Sequence, residues 1–441
     1  MKVNPLTLIP GPPQLATDSC ERLRHLSEEP WPRKDRLLVG PNNDQDDCTQ
    51  ERVDAYRSRF LWTWSGRRLF YFCDIHADPD AFRASLLACG AITHATNLTL
   101  SDIGRHSRFV IGGDCFDKGP DNLGLLDVIS NLRQQGADLV ILAGNHDVRT
   151  WLGMRYATSK DILLDHLFVR MGRKTAPLLK EIYDRYVARQ PEALQYVSAD
   201  IENALMPDDA WYSSFADAAR DRIPNDQLIK EIRRIREKVN EFNASINELG
   251  LSLAQAYQSV MKFHDLFISP SGRYAWLFQE MKLAHIEGSY LYIHAGVDDT
   301  IARFLREEGV DRLNRQFSAA LTENPFAMYH GVLGNCFRTK YRDYDFEFSE
   351  RGSQCMHRAG LFAIVHGHRN ICHGQRLTLR HDMLNFECDA SVDMNTRRLE
   401  GLEGPGAAVV TFEPDGSVCA RSTDHPRLRR FRPGSIMIAN P

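Results

Sequence analysis

The sequence lacks several features that would assign it to a common class of protein. Its ten cysteines include no Cys-x-x-Cys pair, and a chain of 441 residues does not depend on disulfide bonds for its stability. No stretch approaches the roughly 18 consecutive apolar residues of a membrane-spanning helix. Residues 1–15 contain no apolar core of the length found in signal peptides. We therefore expect reduced thiols, a soluble chain and a cytoplasmic location, with non-classical export left open.

The charge balance gives no broad basic field. The formal net charge is −4 at pH 7, whereas binding to nucleic acid by counterion release requires clustered Lys and Arg. Hydrophobic residues make up 43% of the chain and charged residues 25%, which is typical of a globular protein with an ordinary core. The sequence therefore predicts neither a nucleic-acid nor a membrane partner.

Strand-like runs alternate with amphipathic helices in residues 58–147. The aromatic runs 60–64 and 68–72 flank a Ser-Gly turn and predict a β-hairpin. After them the pattern predicts a helix from Pro79, a strand at 109–111, a helix around 123–129 that ends near Gly136, and a strand at 139–142. This alternation indicates an α/β layer fold with right-handed crossovers.

The remaining segments differ in texture. Residues 148–288 are helical in pattern, and their apolar residues from Leu228 to Leu249 and from Leu253 to Phe267 predict a helical hairpin broken at Gly250. Residues 1–57 suggest an irregular leader. Residues 289–441 resume the strands and end in a predicted hairpin at 407–421. We expect one α/β domain, 58–147 and 289–441, with a helical insertion between its two parts.

Clusters of polar residues follow five of the predicted strands. Open α/β sheets place their ligand sites at these carboxyl ends, and carboxylate oxygens and imidazole nitrogens suit ions such as Mn, Fe or Zn. A single cluster of this kind is more often a turn, but five in succession outweigh that interpretation. The clusters are Asp74-Ile75-His76, Gly112 to Gly119, Gly144 to Asp147, His294-Ala295-Gly296 and His366-Gly367-His368.

In this order the clusters resemble the signature of calcineurin-like metallophosphoesterases: D-x-H, G-D-x-x-D, G-N-H-D/E, a lone His and a final G-H. Residues 113–120 and 294–296 resemble, more narrowly, the phosphoprotein phosphatase branch, which includes Ser/Thr protein phosphatases and diadenosine-tetraphosphate hydrolases. The resemblance covers about 60–147 and 290–395. It implies a four-layer α/β/β/α sandwich and leaves the leader and the insertion unexplained.

The resemblance also implies two divalent metal ions, Mn as the first choice and Fe or Zn as alternatives. Such a pair lowers the pKa of a bridging water and neutralises charge on phosphoryl oxygens during in-line attack, so no covalent phosphoenzyme is needed. The implied ligands are Asp74, His76 and Asp114 for the first ion, and Asp114, Asn145, His294 and His368 for the second.

Residues around this metal pair have implied roles in proton transfer and phosphate binding. His146 corresponds to the general acid that protonates the leaving group, and Asp117 to the carboxylate that orients its imidazole. Lys118, Asn145 and Arg338 are the candidate phosphate-binding residues, and Arg342 competes with Arg338 for its role.

The sequence departs from the family pattern at three positions. Lys118 stands where the phosphatase branch usually has Arg, which puts bidentate phosphate binding in doubt. Ala77 replaces a usual Gly, so the backbone there is expected to be less open. Asn370 replaces a second His of the broader family, which leaves the first ion with three protein ligands.

Three functions remain open from the sequence. The first is a phosphatase acting on phosphorylated protein side chains or small phosphoesters, and the second is a nucleotide or dinucleoside-polyphosphate hydrolase. The third is an inactive scaffold that binds proteins through the insertion. A deep pocket rimmed by aromatics would favour nucleotides, and an open groove beside the insertion would favour phosphoproteins. The insertion itself is either a lid or docking arm, or an element of stability or dimer contact.

Overall fold

The computed structural model describes residues 22–32, 49–117, 119–159, 161–188, 204–222 and 224–438. The strands in this part of the chain are β1 Glu28–Pro30, β2 Leu61–Trp64, β3 Leu69–Phe72, β4 Arg108–Ile111, β5 Asp138–Ile141, β6 Ala284–Glu287, β7 Tyr290–Ile293, β8 Ala363–His366, β9 Arg376–Arg380, β10 Met383–Glu387, β11 Ala408–Phe412, β12 Val418–Ser422, β13 Leu428–Phe431 and β14 Ser435–Ile438.

The α-helices in the same part of the chain are α1 Gln50–Arg57, α2 Pro79–Ala88, α3 Asp102–Arg105, α4 Asn122–Gln134, α5 Asn145–Tyr156, α6 His166–Arg170, α7 Ala176–Ile182, α8 Asp209–Ala219, α9 Asn225–Glu248, α10 Leu253–Phe263, α11 Ala275–Glu280, α12 Asp299–Glu323, α13 Pro325–His330, α14 Val332–Asn335, α15 Glu350–Arg358 and α16 Met394–Glu400. A 3-10 turn at Gly172–Lys174 and π-helical turns at Tyr183–Val187 and His264–Ile268 join some of them. In the described ranges, no helix combines the length and apolarity needed to cross a bilayer.

Two mixed sheets form the centre of the molecule. The first has the order β1-β13-β12-β11-β3-β4-β5 and the second the order β6-β7-β8-β10-β9. Strands β3, β4 and β5 are parallel to one another, as are β7, β8 and β10. Their carboxyl ends therefore lie together at one edge of each sheet.

The two sheets pack face to face. Because side chains alternate along a strand, Tyr71 of β3 points to the second sheet, where its ring centroid lies 5.8 Å from that of Tyr292. Phe72 points to the other face and packs against Phe82 of α2, with centroids 5.2 Å apart. Helix α12 covers the outer side of the second sheet, where the Asn314 side-chain oxygen accepts a hydrogen bond from the backbone N–H of Ala284 in β6. The four-layer α/β/β/α arrangement is confirmed.

The hairpin predicted at 60–72 is wrong. Strand β2 pairs in parallel with β14, whereas β3 pairs with β4 and β11. The reason is the pair of tryptophans in β2, whose side chains are fully buried. Trp62 packs against Tyr290 at 5.4 Å and Trp64 against Phe412 at 5.6 Å, so β2 lies at the border of both sheets.

The hairpin predicted at the C-terminal end is confirmed. Strands β11 and β12 pair antiparallel, and Gly416 in the connecting turn has a φ of 78°, which glycine adopts without strain. The segment 1–57 is not irregular throughout. Within it, β1 pairs in parallel with β13, and Thr49 caps helix α1.

The described part of the insertion is helical between β5 and β6. The two predicted helices are present as α9 and α10, with Gly250 between them at a φ of 68°. Each also packs on other helices of the insertion. Phe242 of α9 lies 5.2 Å from Phe168 of α6, and Gln255 of α10 donates to the Tyr183 hydroxyl at 2.7 Å.

Candidate metal centre

The predicted metal ligands lie at the carboxyl ends of parallel strands in both sheets. Asp74 and Asp114 follow β3 and β4, and Asn145 begins α5 just after β5. His294 and His368 follow β7 and β8 of the second sheet. Because the sheets pack face to face, the two groups of loops meet over the same edge of the sandwich.

The ligand atoms form two clusters that share one carboxylate. Asp74, His76 and Asp114 form the first cluster, and Asp114, His294 and His368 form the second. Within each cluster, the possible ligand atoms lie within 4.8 Å of one another. The side-chain oxygen of Asn145 is 3.3 Å from His294 Nε2, so it belongs with the second cluster. The structure thus brings together all six residues named as ligands from the sequence.

Backbone carbonyls orient the three histidine rings. His294 Nδ1 lies 2.8 Å from the Gly112 oxygen, and His76 Nδ1 lies 3.4 Å from the Phe116 oxygen. His368 uses its other nitrogen, Nε2, which lies 3.2 Å from a carbonyl oxygen. When one ring nitrogen donates to a carbonyl, the other keeps its lone pair, and this is the usual arrangement of metal-ligating histidines.

Asp147 holds the loops that carry the carboxylates. It accepts hydrogen bonds from the backbone N–H groups of Asp114 and Cys115, both at 2.8 Å, and of Gly144 at 3.1 Å. Burial raises the pKa of Asp147 to about 7, with the neighbouring Asp114 adding to the rise. The sequence includes Asp147 in a motif, but its position there gave no indication of this supporting role.

The electrostatics of the centre fit divalent cations. Burial raises the pKa of Asp74 well above its usual value, and the nearby carboxylates of Asp389 and Asp114 raise it further. Burial also lowers the pKa values of His294 and His368, which favours the neutral imidazole that binds metals. Crowded buried carboxylates require compensating positive charge, and the donor set of oxygen and imidazole nitrogen suits Mn, Fe or Zn.

Asp389 is a feature of this centre that the sequence interpretation missed. It is 2% exposed and follows β10, as the predicted ligands follow their own strands. The same rule of polar residues at strand ends could have found it. The side-chain amide of Asn370, in contrast, donates a hydrogen bond to Glu400 at 2.9 Å, and Glu400 belongs to neither ligand cluster.

The backbone of the site occupies a region that most residues avoid. Positive φ angles occur at Asp74 (50°), His76 (49°), Ala77 (58°), Asp114 (55°) and His368 (67°). Such conformations cost free energy and cluster at functional sites, where the surroundings enforce them. The departure at Ala77 therefore has a structural meaning, because a glycine would adopt this angle without strain.

Close backbone approach also explains two glycines. A Cβ atom on Gly144 would lie 2.2 Å from Asp114 Oδ1, and one on Gly367 would lie 1.8 Å from Asp74 Oδ2. Each glycine therefore leaves room for a proposed ligand carboxylate.

His146 and Asp117 lie together as the sequence predicts. His146 Nδ1 is 3.2 Å from Asp117 Oδ2, and His146 Nε2 is 3.8 Å from Asp114 Oδ2. The imidazole thus spans from the Asp117 carboxylate to the carboxylate shared by both clusters. Asp117 also has a partner that the sequence did not predict. Lys174 Nζ, from the insertion, is 2.8 Å from the same Asp117 oxygen. Its position in the sequence gives no signal of this contact.

Two of the three candidate phosphate-binding residues lie on a cleft beside the proposed metal ligands. Lys118 lies outside the described residues. Asn145 and Arg338 line the same open cleft, which His368 also lines. Arg342 forms an ion pair with Asp345 at 3.2 Å, so its guanidinium is already partnered. The geometry therefore favours Arg338 over Arg342 as the phosphate-facing arginine.

Arg149 is a further cation that the sequence interpretation missed. It lies one helical turn after Asn145 on α5, a spacing that places both side chains on one face and could have revealed it. Its Nη2 is 3.1 Å from the Tyr329 hydroxyl, and the Arg338 guanidinium lies 4.4 Å from the centre of the same ring. Burial by itself would raise the pKa of Tyr329, but Arg149 and Arg338 lower it to about 8.

Comparisons with known proteins find similarity in three dimensions only. No family model and no curated protein sequence matches the chain. A cold-active protein tyrosine phosphatase of Shewanella is 14% identical, with a TM-score of 0.43 and coverage of 86% of this chain and 84% of that one.

Two further solved structures are also similar. A protein serine/threonine phosphatase from Saccharomyces cerevisiae is 10% identical, with a TM-score of 0.35 and coverage of 89% of both chains. A metallophosphoesterase from Sphaerobacter thermophilus is 11% identical, with a TM-score of 0.30 and coverage of 83% and 88%. In its motifs and in the layout of its site, the chain resembles the calcineurin-like metallophosphoesterase superfamily.

Proposed function

We propose that this protein is a two-metal phosphoester hydrolase that removes phosphate from phosphorylated protein side chains. One observation carries the proposal: two clusters of metal-ligand atoms share Asp114, and the His146–Asp117 pair borders that shared carboxylate. Asp74, His76 and Asp114 would hold one divalent ion, and Asp114, Asn145, His294 and His368 the other. When bound, the ions would supply Lewis-acid activation of a water nucleophile and neutralise charge on the phosphoryl group.

The residues of the chain have distinct tasks in this proposal. His146 Nε2 faces the centre and donates a proton to the leaving oxygen, because Nδ1 is held by Asp117. Asn145 and Arg338 orient the phosphoryl oxygens from the cleft side. Lys174 fixes Asp117 from the side of the insertion, so the insertion contributes to positioning the acid.

The shape of the cleft supports a protein substrate over a nucleotide. Its volume is about 970 Å³, and its lining extends from Asn145 and His368 to the first turns of helix α9. An open cleft of this length accommodates an extended peptide beside the phosphorylated residue. A dinucleoside-polyphosphate hydrolase remains the second candidate, because exposed Tyr344 and Phe346 on the same cleft are able to stack on bases.

The test is hydrolysis of p-nitrophenyl phosphate and phenyl phosphate with added Mn²⁺. We expect Asp114→Asn to lower kcat/KM by about 100-fold or more for both esters, because both metal clusters lose their shared ligand. We expect His146→Asn to lower it by about 100-fold for phenyl phosphate and far less for p-nitrophenyl phosphate, whose leaving group needs little protonation. Asp311→Asn, at an exposed position of α12, is the control.

The outcomes separate the candidate functions. Equal losses for the two esters in His146→Asn would refute the general-acid role. A wild-type protein that is inert with every metal would refute the hydrolase proposal and favour the scaffold. Parallel assays with phosphopeptides and diadenosine tetraphosphate distinguish the two substrate classes through the higher kcat/KM.

A further inference from the structure

The cleft beside the metal centre is strongly cationic. Nine of its lining residues are Arg or Lys, and three are Asp or Glu. Arg149, Arg338 and Lys340 lie near the metal centre, whereas Arg222 and Arg234 lie on the wall formed by the insertion. The basic lining therefore extends well beyond the atoms needed to hold one phosphoryl group.

The acidic residues of the cleft neutralise only some of these cations. Glu231 pairs with Arg170, and Asp345 pairs with Arg342. Asp226 lies 3.6 Å from Lys230. Within the described ranges, no carboxylate oxygen lies within 4.0 Å of the guanidinium of Arg222 or Arg234. A surplus of positive charge on a ligand-facing wall favours an anionic ligand through electrostatic complementarity.

Two of these cations, Arg338 and Lys340, are partly removed from water, which costs free energy in the protein without a ligand. Arg338 and Lys340 are half-buried, and neither forms an ion pair with a carboxylate in the described part of the chain. A buried cation without a carboxylate partner loses hydration that it does not regain. An anionic ligand in the cleft would offset that cost.

The lining also contains apolar surface, which bears on the kind of anion. Tyr344 is 70% exposed and Phe346 is 44% exposed, and both line the cleft. The Arg342 guanidinium lies 4.4 Å from the centre of the Tyr344 ring. A bare phosphate chain offers nothing to these rings, whereas a peptide offers both acidic and apolar side chains.

Resting on the proposed phosphatase function, we infer that the cleft binds phosphorylated peptides whose phosphorylated residue is flanked by acidic residues. In this arrangement the scissile phosphate reaches the metal centre. The flanking carboxylates lie against Arg222 and Arg234 on the insertion wall. The helical insertion is then a substrate-docking arm that selects acidic sequences.

The test uses three synthetic phosphopeptides that share one phosphorylated residue and differ only in flanking Glu, Ala or Lys. We expect wild-type kcat/KM to be about tenfold higher for the Glu-flanked than for the Ala-flanked peptide, because the KM of the Glu-flanked peptide is lower. In the double variant Arg222→Gln and Arg234→Gln this ratio falls by about fivefold. Raising NaCl from roughly 50 to 500 mM lowers the wild-type ratio in the same direction.

A matched control removes the same charge elsewhere. The double variant Arg312→Gln and Arg315→Gln changes two exposed arginines of α12 that do not line the cleft, and it keeps the wild-type ratio. Thermal unfolding of both double variants checks that their folds are intact.

A binding measurement separates this inference from the proposed activity. Fluorescence anisotropy of the labelled Glu-flanked peptide, measured on the Asp114→Asn protein, reports docking without turnover. Tight binding that is lost on adding the Arg222→Gln and Arg234→Gln changes supports docking, even if the wild-type protein hydrolyses nothing.

Three results would overturn the inference. The first is equal kcat/KM and equal binding for the three peptides. The second is a preference for acidic flanks that the double variant retains. The third is displacement of the peptide by tripolyphosphate or diadenosine tetraphosphate at lower concentrations than by the unlabelled peptide. Displacement by both would assign the cleft to phosphate chains, and displacement by diadenosine tetraphosphate alone would assign it to dinucleotides.

Discussion

At the residue scale, the proposed metal ligands come together because they lie at the carboxyl ends of parallel strands in two packed sheets. Each proposed ligand follows a strand, and this local rule needs no knowledge of the rest of the fold. The residues that the sequence interpretation missed differ in how far a local pattern reaches them. Asp389 follows a strand, as the predicted ligands do, whereas Lys174 arrives from the insertion, and its contact with Asp117 depends on tertiary packing that no local pattern encodes.

His166 gives a prediction about pH and stability. Its side chain is 1% exposed and packs against the rings of Trp211 and Phe215, and burial lowers its pKa from 6.5 to about 3. As the pH falls below 6.5, the unfolded chain binds a proton at this histidine and the folded chain does not, so folding stability decreases. This loss continues until the pH reaches about 3.

We expect the contribution of His166 to stability to fall by about 2 kcal/mol between pH 7 and pH 5. His166→Phe removes that contribution, so its free energy of unfolding depends less steeply on pH. Urea unfolding at several pH values measures the effect, and His106→Gln, at an exposed histidine, is the control. A His166→Phe protein with the wild-type pH dependence would show that His166 titrates normally.

At the element scale, the strands and helices of the α/β part lie where their sequence patterns predict them, but the pairing of strands β2 and β3 differs from the prediction. The β2 and β3 runs are correctly located, but the aromatic side chains of β2 pack at the border of the two sheets and separate it from β3. A hairpin signal reports a turn between two runs. It does not report which neighbour offers the larger buried surface, and in this case the tertiary contacts decide.

Helix α9 allows a test of how the insertion is held. Phe242 is fully buried against Phe168, whereas Ile229 on the same helix is 62% exposed. We expect Phe242→Ala to lower the free energy of unfolding by about 3–5 kcal/mol, because it leaves a cavity. Ile229→Ala should change it by roughly 0.5 kcal/mol or less. Chemical denaturation measures both, and similar effects of the two changes would contradict the packing of α9.

At the scale of the whole molecule, loops from two sheets bring the proposed metal ligands together, and this joins the parts of the chain before and after the insertion. The loops after β3, β4 and β5 carry the proposed carboxylate ligands, one histidine and an amide, and the loops after β7 and β8 carry the other two histidines. The four-layer sandwich follows from the resemblance in sequence. The basic cleft could not be predicted from the sequence. Its cations come from distant segments, and the net charge of −4 for the whole chain gives no sign of them.

In the proposed hydrolase, one carboxylate, that of Asp114, serves two metal ions. The most direct measurement is the stoichiometry of Mn²⁺ binding to the metal-free protein by isothermal titration calorimetry, for wild type, Asp114→Asn and the exposed control Asp311→Asn. We expect two ions per chain for wild type and the control, and loss of tight binding at both positions in Asp114→Asn. A wild-type protein that binds one ion or none, or an Asp114→Asn protein that still binds two, would contradict it.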